Sequence, residues 1–360
     1  MNPTAQRSAL RRRIPQMLVG VLIGGLAMVW ALRGVPLSTV ASTLKTATLP
    51  PLLLIAVLFL FQQVIRAWRQ AIIIQATQPN HTLRTSLSVL CVSFFLINTL
   101  PARIGEVSRP LLLLERDGTP LGVGVAAVVL ERMLDLMATF VMLALVAWFV
   151  PGESHTISLG SATVDWVSLG QKTAAMVLPF ILLGLFALFF AGGQTLRVMH
   201  AISERLPMWT RRISAPFLRF GQTFVDALSS ARSPRRLASI VGLTVCTWAM
   251  TGLMYPLLAQ SFGVGSLIGY GEGIGILCVT MLGMILPSAP GFAGTYEAFF
   301  RAGVGLFGVQ GPELDATAIA MALTMHWGIY VVQSSSAIAF LIVDRIDLRR
   351  LMQRLLESLS

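Results

Sequence analysis

Six apolar runs, each close to or beyond the length of a membrane-crossing helix, constrain this chain more than anything else in it. They fall near 14–32, 49–66, 121–150, 174–191, 237–260 and 316–343. About 20 apolar residues cross the hydrocarbon core as helix, and continuous runs of this kind do not arise from alternating β-barrel strands. The composition agrees: 55% of the 360 residues are hydrophobic and only 12% are charged, against about a quarter charged in a soluble domain. The expected fold is therefore all-α, a polytopic membrane bundle. Arg11, Arg12 and Arg13 before the first run mimic a signal peptide, but the run is long and lacks a convincing small-residue cleavage site, so it reads as a retained span.

The basic residues set a direction. The formal charge is +11, which could suggest nucleic acid. The arginines, however, sit in loops and tails beside apolar runs, so they read as topology signals and nucleic acid is not an expected partner. The basic N-terminus 1–13, the segment 192–236 with eight arginines against Glu204 and Asp226, and the tail with Arg345, Arg349, Arg350 and Arg354 are expected to be cytoplasmic. Loop 151–173, with Glu153, Asp165 and only Lys172, is expected outside. The chain then divides into the terminus 1–13, one transmembrane unit 14–345 and an amphipathic tail 346–360, in a bacterial inner membrane with both termini inside. The spacing of Ile213, Phe217, Phe220, Phe224 and Leu228, and of Leu348, Leu351, Leu355 and Leu359, predicts amphipathic helices. These would either lie in the interface or dock on the bundle. Cys91, Cys246 and Cys278 lie in apolar stretches and read as small buried hydrophobes.

Two regions do not fit as full spans. One contains Asn98-Thr-Leu-Pro-Ala-Arg-Ile-Gly-Glu-Val-Ser-Arg-Pro110, the other Leu286-Pro-Ser-Ala-Pro-Gly-Phe-Ala-Gly-Thr-Tyr-Glu297 with Arg301 beyond it. The apolar halves Ser86–Leu100 and Gly271–Leu286 reach about 22–24 Å as helix, short of the ~30 Å core. Each region must enter and leave on one side, the first inside and the second outside. The expectation is two re-entrant hairpins in an inverted-topology repeat, with pairs of tilted full spans as the alternative. Broken helices at bilayer depth survive where protein or a polar cavity satisfies their backbone, and they mark binding sites in transporters. Pro101 and Gly105 in the first region, and Pro287, Pro290, Gly291 and Gly294 in the second, are the candidate break residues. Gly20 and Gly24, and Gly271 and Gly275, have the spacing for close helix packing.

Three groups of ionisable residues accompany the breaks. Arg103, Glu106 and Arg109 share one helical face by spacing, and arginine offers a planar fork suited to phosphate. Glu131, Arg132 and Asp135 interrupt an apolar span, where ionised groups are costly unless paired or facing water. Tyr296, Glu297 and Arg301 begin a half-helix whose positive end would favour an anion. Each group has a plainer reading as interfacial anchor, structural ion cluster or surface pair. Glu115 and Arg116 read as surface charges, and His326 as a hydrogen-bonded interior histidine. No metal-ligand spacing, P-loop or nucleophile elbow occurs, so neither an enzyme nor a cofactor is expected.

The motifs Arg103-Ile-Gly-Glu-Val-Ser-Arg109, Glu131-Arg-Met-Leu-Asp135 and Pro290-Gly-Phe-Ala-Gly-Thr-Tyr-Glu297 together resemble the lysylphosphatidylglycerol synthase transmembrane-region family over roughly 14–345. The resemblance implies a flippase-like protein moving lipids or lipid-linked head groups between leaflets. The third motif departs from a more glycine-rich family pattern, and the large cytoplasmic synthase domain of full-length members is not expected here. The implied partners are membrane lipids with a polar or anionic head group, with Arg103, Arg109 and Arg132 contacting it from one side and Arg301 from the other. Two alternatives stay open: a membrane subunit that anchors or presents lipid to a separate transferase, and a membrane-embedded transferase using Glu106 or Asp135 as base.

Overall fold

The computed structural model describes residues 3–100, 105–149, 156–159, 162–186, 193–194, 196–197, 201, 208–230, 233–285, 289–306 and 312–357. It is a helical assembly: α1 (Pro3–Leu32), α2 (Leu37–Thr46), α3 (Leu49–Ile74), α4 (Leu83–Thr99), α5 (Gly105–Asp117), α6 (Leu121–Phe149), α7 (Trp166–Phe186), α8 (Met208–Ser230), α9 (Pro234–Ser261), α10 (Tyr270–Ile285), α11 (Thr295–Leu306), α12 (Pro312–Val343) and α13 (Leu348–Glu357). The departure from helix is a small antiparallel hairpin, β1 (Thr156–Leu159) with β2 (Ala162–Asp165). Its β-branched strands flank a Gly-Ser pair, an ordinary hairpin signal hidden inside a loop that composition alone makes look featureless.

Helices lie over the described part of every run expected to span. Among the described residues, α3, α9 and most of α12 are long and apolar enough to cross a membrane by length and composition alone. The outward faces are apolar: Leu53, Val57, Phe61, Val245, Leu253, Val331 and Ile342 are all exposed. Buried polar and charged groups, among them Arg69, Arg109 and Glu131, lie inside between apolar cores. The first span ends in a bend of 80° between its last part and α2, at Gly34 with its positive φ of 76° and Pro36, which suits an extended N-cap.

The short apolar halves are present as α4 and α10, each followed by a break and a second short helix, α5 and α11. Within each pair the helices pack together, α4 on α5 and α10 on α11. Gly105 abuts the Ile97 backbone so closely that a Cβ there would lie 2.3 Å from its nitrogen. Gly303 meets the Ile276 backbone in the second pair.

Two apolar cores hold the assembly. One joins α3, α9, α10, α11 and α12 through Phe59, Tyr255, Leu258, Phe300 and Ile319. The other joins the far end of α3 with α4, α5, α6, α8 and α13 through Ile73, Val92, Leu112, Leu130, Leu228 and Leu355. Both amphipathic helices therefore dock. Leu351 and Leu355 of α13 are fully buried, and Leu218, Val225 and Leu228 of α8 are buried while Phe217 stays exposed. The cysteine expectation needs one correction: Cys91 and Cys278 are buried, but Cys246 is exposed on the apolar outer face of α9. Glu115 and Arg116 are partly exposed and ion-paired, Glu115 to Arg354 at 2.6 Å and Arg116 to Asp344 at 3.0 Å.

Candidate functional site

Between the two cores, α3 turns polar. Gln62, Gln63, Arg66, Arg69 and Gln70 recur at three- and four-residue steps, which places them on one helical side. Gln62, Arg66 and Arg69 line a cavity of about 550 Å³. One end is ionic, lined by Arg66 and Arg69 of α3, Glu106 of α5, and Glu131, Arg132 and Asp135 of α6. The other end is aromatic, lined by Trp248, Tyr255, Phe292, Tyr296, His326 and Tyr330.

Part of the ionic end is locked. Arg69 Nη1 donates to Asp135 Oδ1 at 2.8 Å and to Thr244 Oγ1 at 2.9 Å. Trp248 Nε1 donates to the same Asp135 oxygen at 3.3 Å. Arg109 Nη1 donates to Glu131 Oε2 at 2.7 Å, and its Nε reaches Ser93 Oγ at 3.4 Å. Arg69, Arg109 and Glu131 are almost completely buried. These bonds join α3, α4, α5, α6 and α9, and a buried charge needs such partners to be tolerated.

The rest is loosely held. Arg132 lies 3.8 Å from Glu106 Oε2 and 3.8 Å from Asp135 Oδ2, beyond hydrogen-bond length, and its side chain is 40% exposed. Arg66 has neither an ion pair nor a hydrogen bond to the described residues, and its guanidinium carbon sits 5.5 Å from the centre of the Phe94 ring. Arg109 and Arg132 approach the same ring at 4.9 and 5.9 Å. A phenyl face attracts cations through its quadrupole. Four arginines thus meet three carboxylates around this end, leaving positive charge in excess.

The second break closes the other end. Gly291 and Gly294 take positive φ of 68° and 88°, which glycine adopts freely. Phe292 between them also has positive φ, 61°, an uncommon backbone state for a bulky residue, at a cavity wall. Gly294 lies against α1 so tightly that a Cβ would fall 1.8 Å from Gly24 O. Gly291 lies beside the Asn98 carbonyl, and Thr99 Oγ1 is 3.1 Å from Tyr330 Oη. The end of α4 at the first break therefore touches the second break, and both border one cavity.

Glu297 is fully buried. Its Oε2 accepts from Gly294 N–H at 2.8 Å, the N3-to-N-cap half of a capping box at the start of α11. Its Oε1 is 2.7 Å from His326 Nδ1, while His326 Nε2 is 2.7 Å from Gly291 O.

The candidates named from sequence thus separate. Glu106, Glu131, Arg132, Asp135 and Tyr296 line the cavity. Arg109 stands behind its wall, bonded to Glu131, and Glu297 behind His326. Gly105 and Gly294 mark close backbone approaches, Pro290 and Gly291 the short turn of the second break. Arg301 is not among the lining residues. It pairs with Asp315 at 2.9 Å and donates to the Ala31 and Arg33 carbonyls at the end of α1, the cap an arginine gives a helix C-terminus. Pro101, Arg103 and Pro287 lie outside the described residues. Arg66, Arg69 and Phe94 were not singled out from sequence. The signal for them was available, because Gln62, Gln63, Arg66, Arg69 and Gln70 form a polar stripe inside an apolar helix.

Apolar outer faces around an ionised interior define a multi-pass helical membrane protein. The chain belongs to the lysylphosphatidylglycerol synthase transmembrane-region family, whose model, described as "Lysylphosphatidylglycerol synthase TM region", matches residues 17–333. No curated protein and no solved structure matches the chain.

Proposed function

We propose that this protein is a lipid transporter and not an enzyme, carrying a lipid with an anionic or polar head group between leaflets. The observation that supports this most is the single cavity bordered by both helix breaks, with surplus arginine charge at one end. In this reading the head group exchanges the long Arg132 contacts for its own oxygens and takes Arg66 as a second donor, while Arg69 and Arg109 hold the wall. Acyl chains stay in the bilayer. The two broken helix pairs act as re-entrant hairpins of an inverted repeat, giving access from each side in turn.

The proposed setting is the bacterial inner membrane, with both termini and 192–236 cytoplasmic and 151–173 outside. Single cysteines at Ser158 and Ser230 in a Cys-free background should label from opposite sides. Reconstitution tests the activity: vesicles containing purified protein and a head-group-labelled phosphatidylglycerol should lose protection of the inner-leaflet label faster than empty vesicles. A second reading, a membrane subunit presenting lipid to a separate transferase, draws support from the exposed Phe217 and Phe220 on docked α8. Lipid movement by the purified protein alone argues against it.

A further inference from the structure

We propose that Glu297 and His326 form a proton-binding site whose loaded state holds the second helix break against α12. Gly291 O can only accept, so His326 Nε2, 2.7 Å away, carries a hydrogen. Across the ring, Nδ1 faces Glu297 Oε1 at 2.7 Å. That approach requires one proton between the two atoms, on the imidazole or on the carboxyl. Removing it leaves one imidazole hydrogen for two acceptors, Glu297 Oε1 and Gly291 O, so one of the two contacts is lost.

Capping does not account for this second contact. The cap at Gly294 uses only Glu297 Oε2, so a purely structural glutamate would leave Oε1 without a role. Instead Oε1 points to a histidine that also grips the break itself. His326 thereby ties together three pieces: the turn at Gly291, the first turn of α11, and α12. Its ring stacks on Tyr296 at 4.3 Å and lines the cavity, which gives the proton a route to and from cavity water. Among the described residues no other charge pairs with Glu297 or His326, and Arg301, one turn along α11, is engaged by Asp315 of α12. Tyr296 is hydrogen-bonded to Tyr255 of α9, Trp327 and Tyr330 adjoin on α12, and α1 and α4 face the break with Gly24, Met28 and Asn98. The cavity's charged groups, Arg66, Arg69, Glu106, Glu131, Arg132 and Asp135, make no ion pair with Glu297 or His326.

Once the proton is released to water, the neutral imidazole keeps one hydrogen for two acceptors; bound to the Glu297 carboxylate through Nδ1, it lets go of Gly291 O and of the turn that carries Phe292, a cavity wall held in an uncommon backbone state. The proton site then controls the cavity from the side opposite the arginines. Its role in transport rests on the transporter reading, whereas the binding of the proton does not.

The test uses the full-length protein in lipid nanodiscs. Infrared spectra with isotope-labelled glutamate should show a carboxyl band that responds to bulk pH. Glu297→Gln should abolish that band while preserving the fold, because the amide donates to Nδ1 and still accepts from Gly294. Amide exchange of residues 289–300 should be on the order of tenfold faster in wild type than in Glu297→Gln at alkaline pH, and equal at acid pH. His326→Phe, which keeps the stack on Tyr296, should exchange fast at every pH. A carboxyl band that does not titrate, or an exchange ratio that is flat with pH, overturns the proposal. In vesicles with labelled phosphatidylglycerol the two ideas separate. A titrating site without lipid movement at any pH removes the transport reading alone; lipid movement with neither titration nor pH dependence removes the proton site alone.

Discussion

The two helix breaks border one cavity, yet they handle charge in opposite ways. At the first, four arginines from three helices meet three carboxylates, and two of the arginines keep their guanidinium groups toward the cavity with weak ties. At the second, the one carboxylate is buried and fully engaged, by a backbone N–H and by a histidine. The comparison teaches that burial and partner number, not the presence of a charge near a break, separate a group that holds the structure from one that can accept a ligand. Arg69 and Arg109, like Glu297, are buried and held by protein partners. Arg66 and Arg132 stand apart from them.

The sharpest way to break this division is to remove a locked charge. Arg69→Ala should be the most damaging change, since it leaves Asp135 facing the cavity wall with its main partner gone. Loss of one member of a buried ion pair costs about 3–5 kcal/mol. The expected outcome is poor insertion and a large fall in thermal midpoint in detergent. Unchanged stability with lost lipid movement would move Arg69 into the ligand-contacting set.

Arg66→Gln and Arg132→Gln should do the reverse, leaving the midpoint near wild type and weakening affinity for short-chain phosphatidylglycerol about ten- to a hundredfold, the equivalent of one charge-assisted hydrogen bond of ~1.5–3 kcal/mol. Arg66→Lys should recover only part of it, because the planar fork is gone. A matching stability loss would place both arginines with Arg69.

How much of this was legible beforehand follows from which contacts are local. The apolar runs and the proline–glycine breaks are local signals, and helices indeed lie over the first and stop at the second. The Glu131–Arg132–Asp135 group announced itself because it interrupts a span. Arg66 and Arg69 did not, because basic residues at the end of an apolar run ordinarily mark the membrane interface; here α3 continues to Ile74 and carries them inward. Their partners are far along the chain, Asp135 being 66 residues from Arg69. Arg301 shows the same limit. Its spacing from Glu297 suggested a shared face toward a ligand, whereas its real partners are Asp315 and the carbonyls ending α1. No one-dimensional pattern pairs His326 with Glu297, 29 residues away.

Arg301 offers a milder test of the same division. As a helix cap with a partly buried ion pair, Arg301 replaced by Ala (Arg301→Ala) should cost about 1 kcal/mol of stability and leave lipid movement per folded molecule unchanged. A selective loss of transport would restore it to the ligand-contacting set and extend the site to the other face.

The smallest effect is expected at Phe94, and it bears on why the loosely held arginines stay where they are. Three guanidinium carbons lie 4.9–5.9 Å from its ring centre. Arg66 makes no ion pair or hydrogen bond among the described residues and is drawn by the charges of Asp135 and Glu131 at longer range, so the ring face helps to orient it toward the cavity. Phe94→Leu keeps apolar bulk and removes the quadrupole. A cation–π contact at a partly exposed site is worth about 0.5–1 kcal/mol, so phosphatidylglycerol affinity should fall roughly two- to fivefold, with Arg109 unaffected because Glu131 still holds it. Phe94→Tyr should bind as wild type does. The double variant Phe94→Leu with Arg66→Gln should be no weaker than Arg66→Gln alone, since the ring then has no cation left to orient there. Additive losses would mean that Phe94 shapes the cavity for the ligand directly, and the free position of Arg66 would then need another cause.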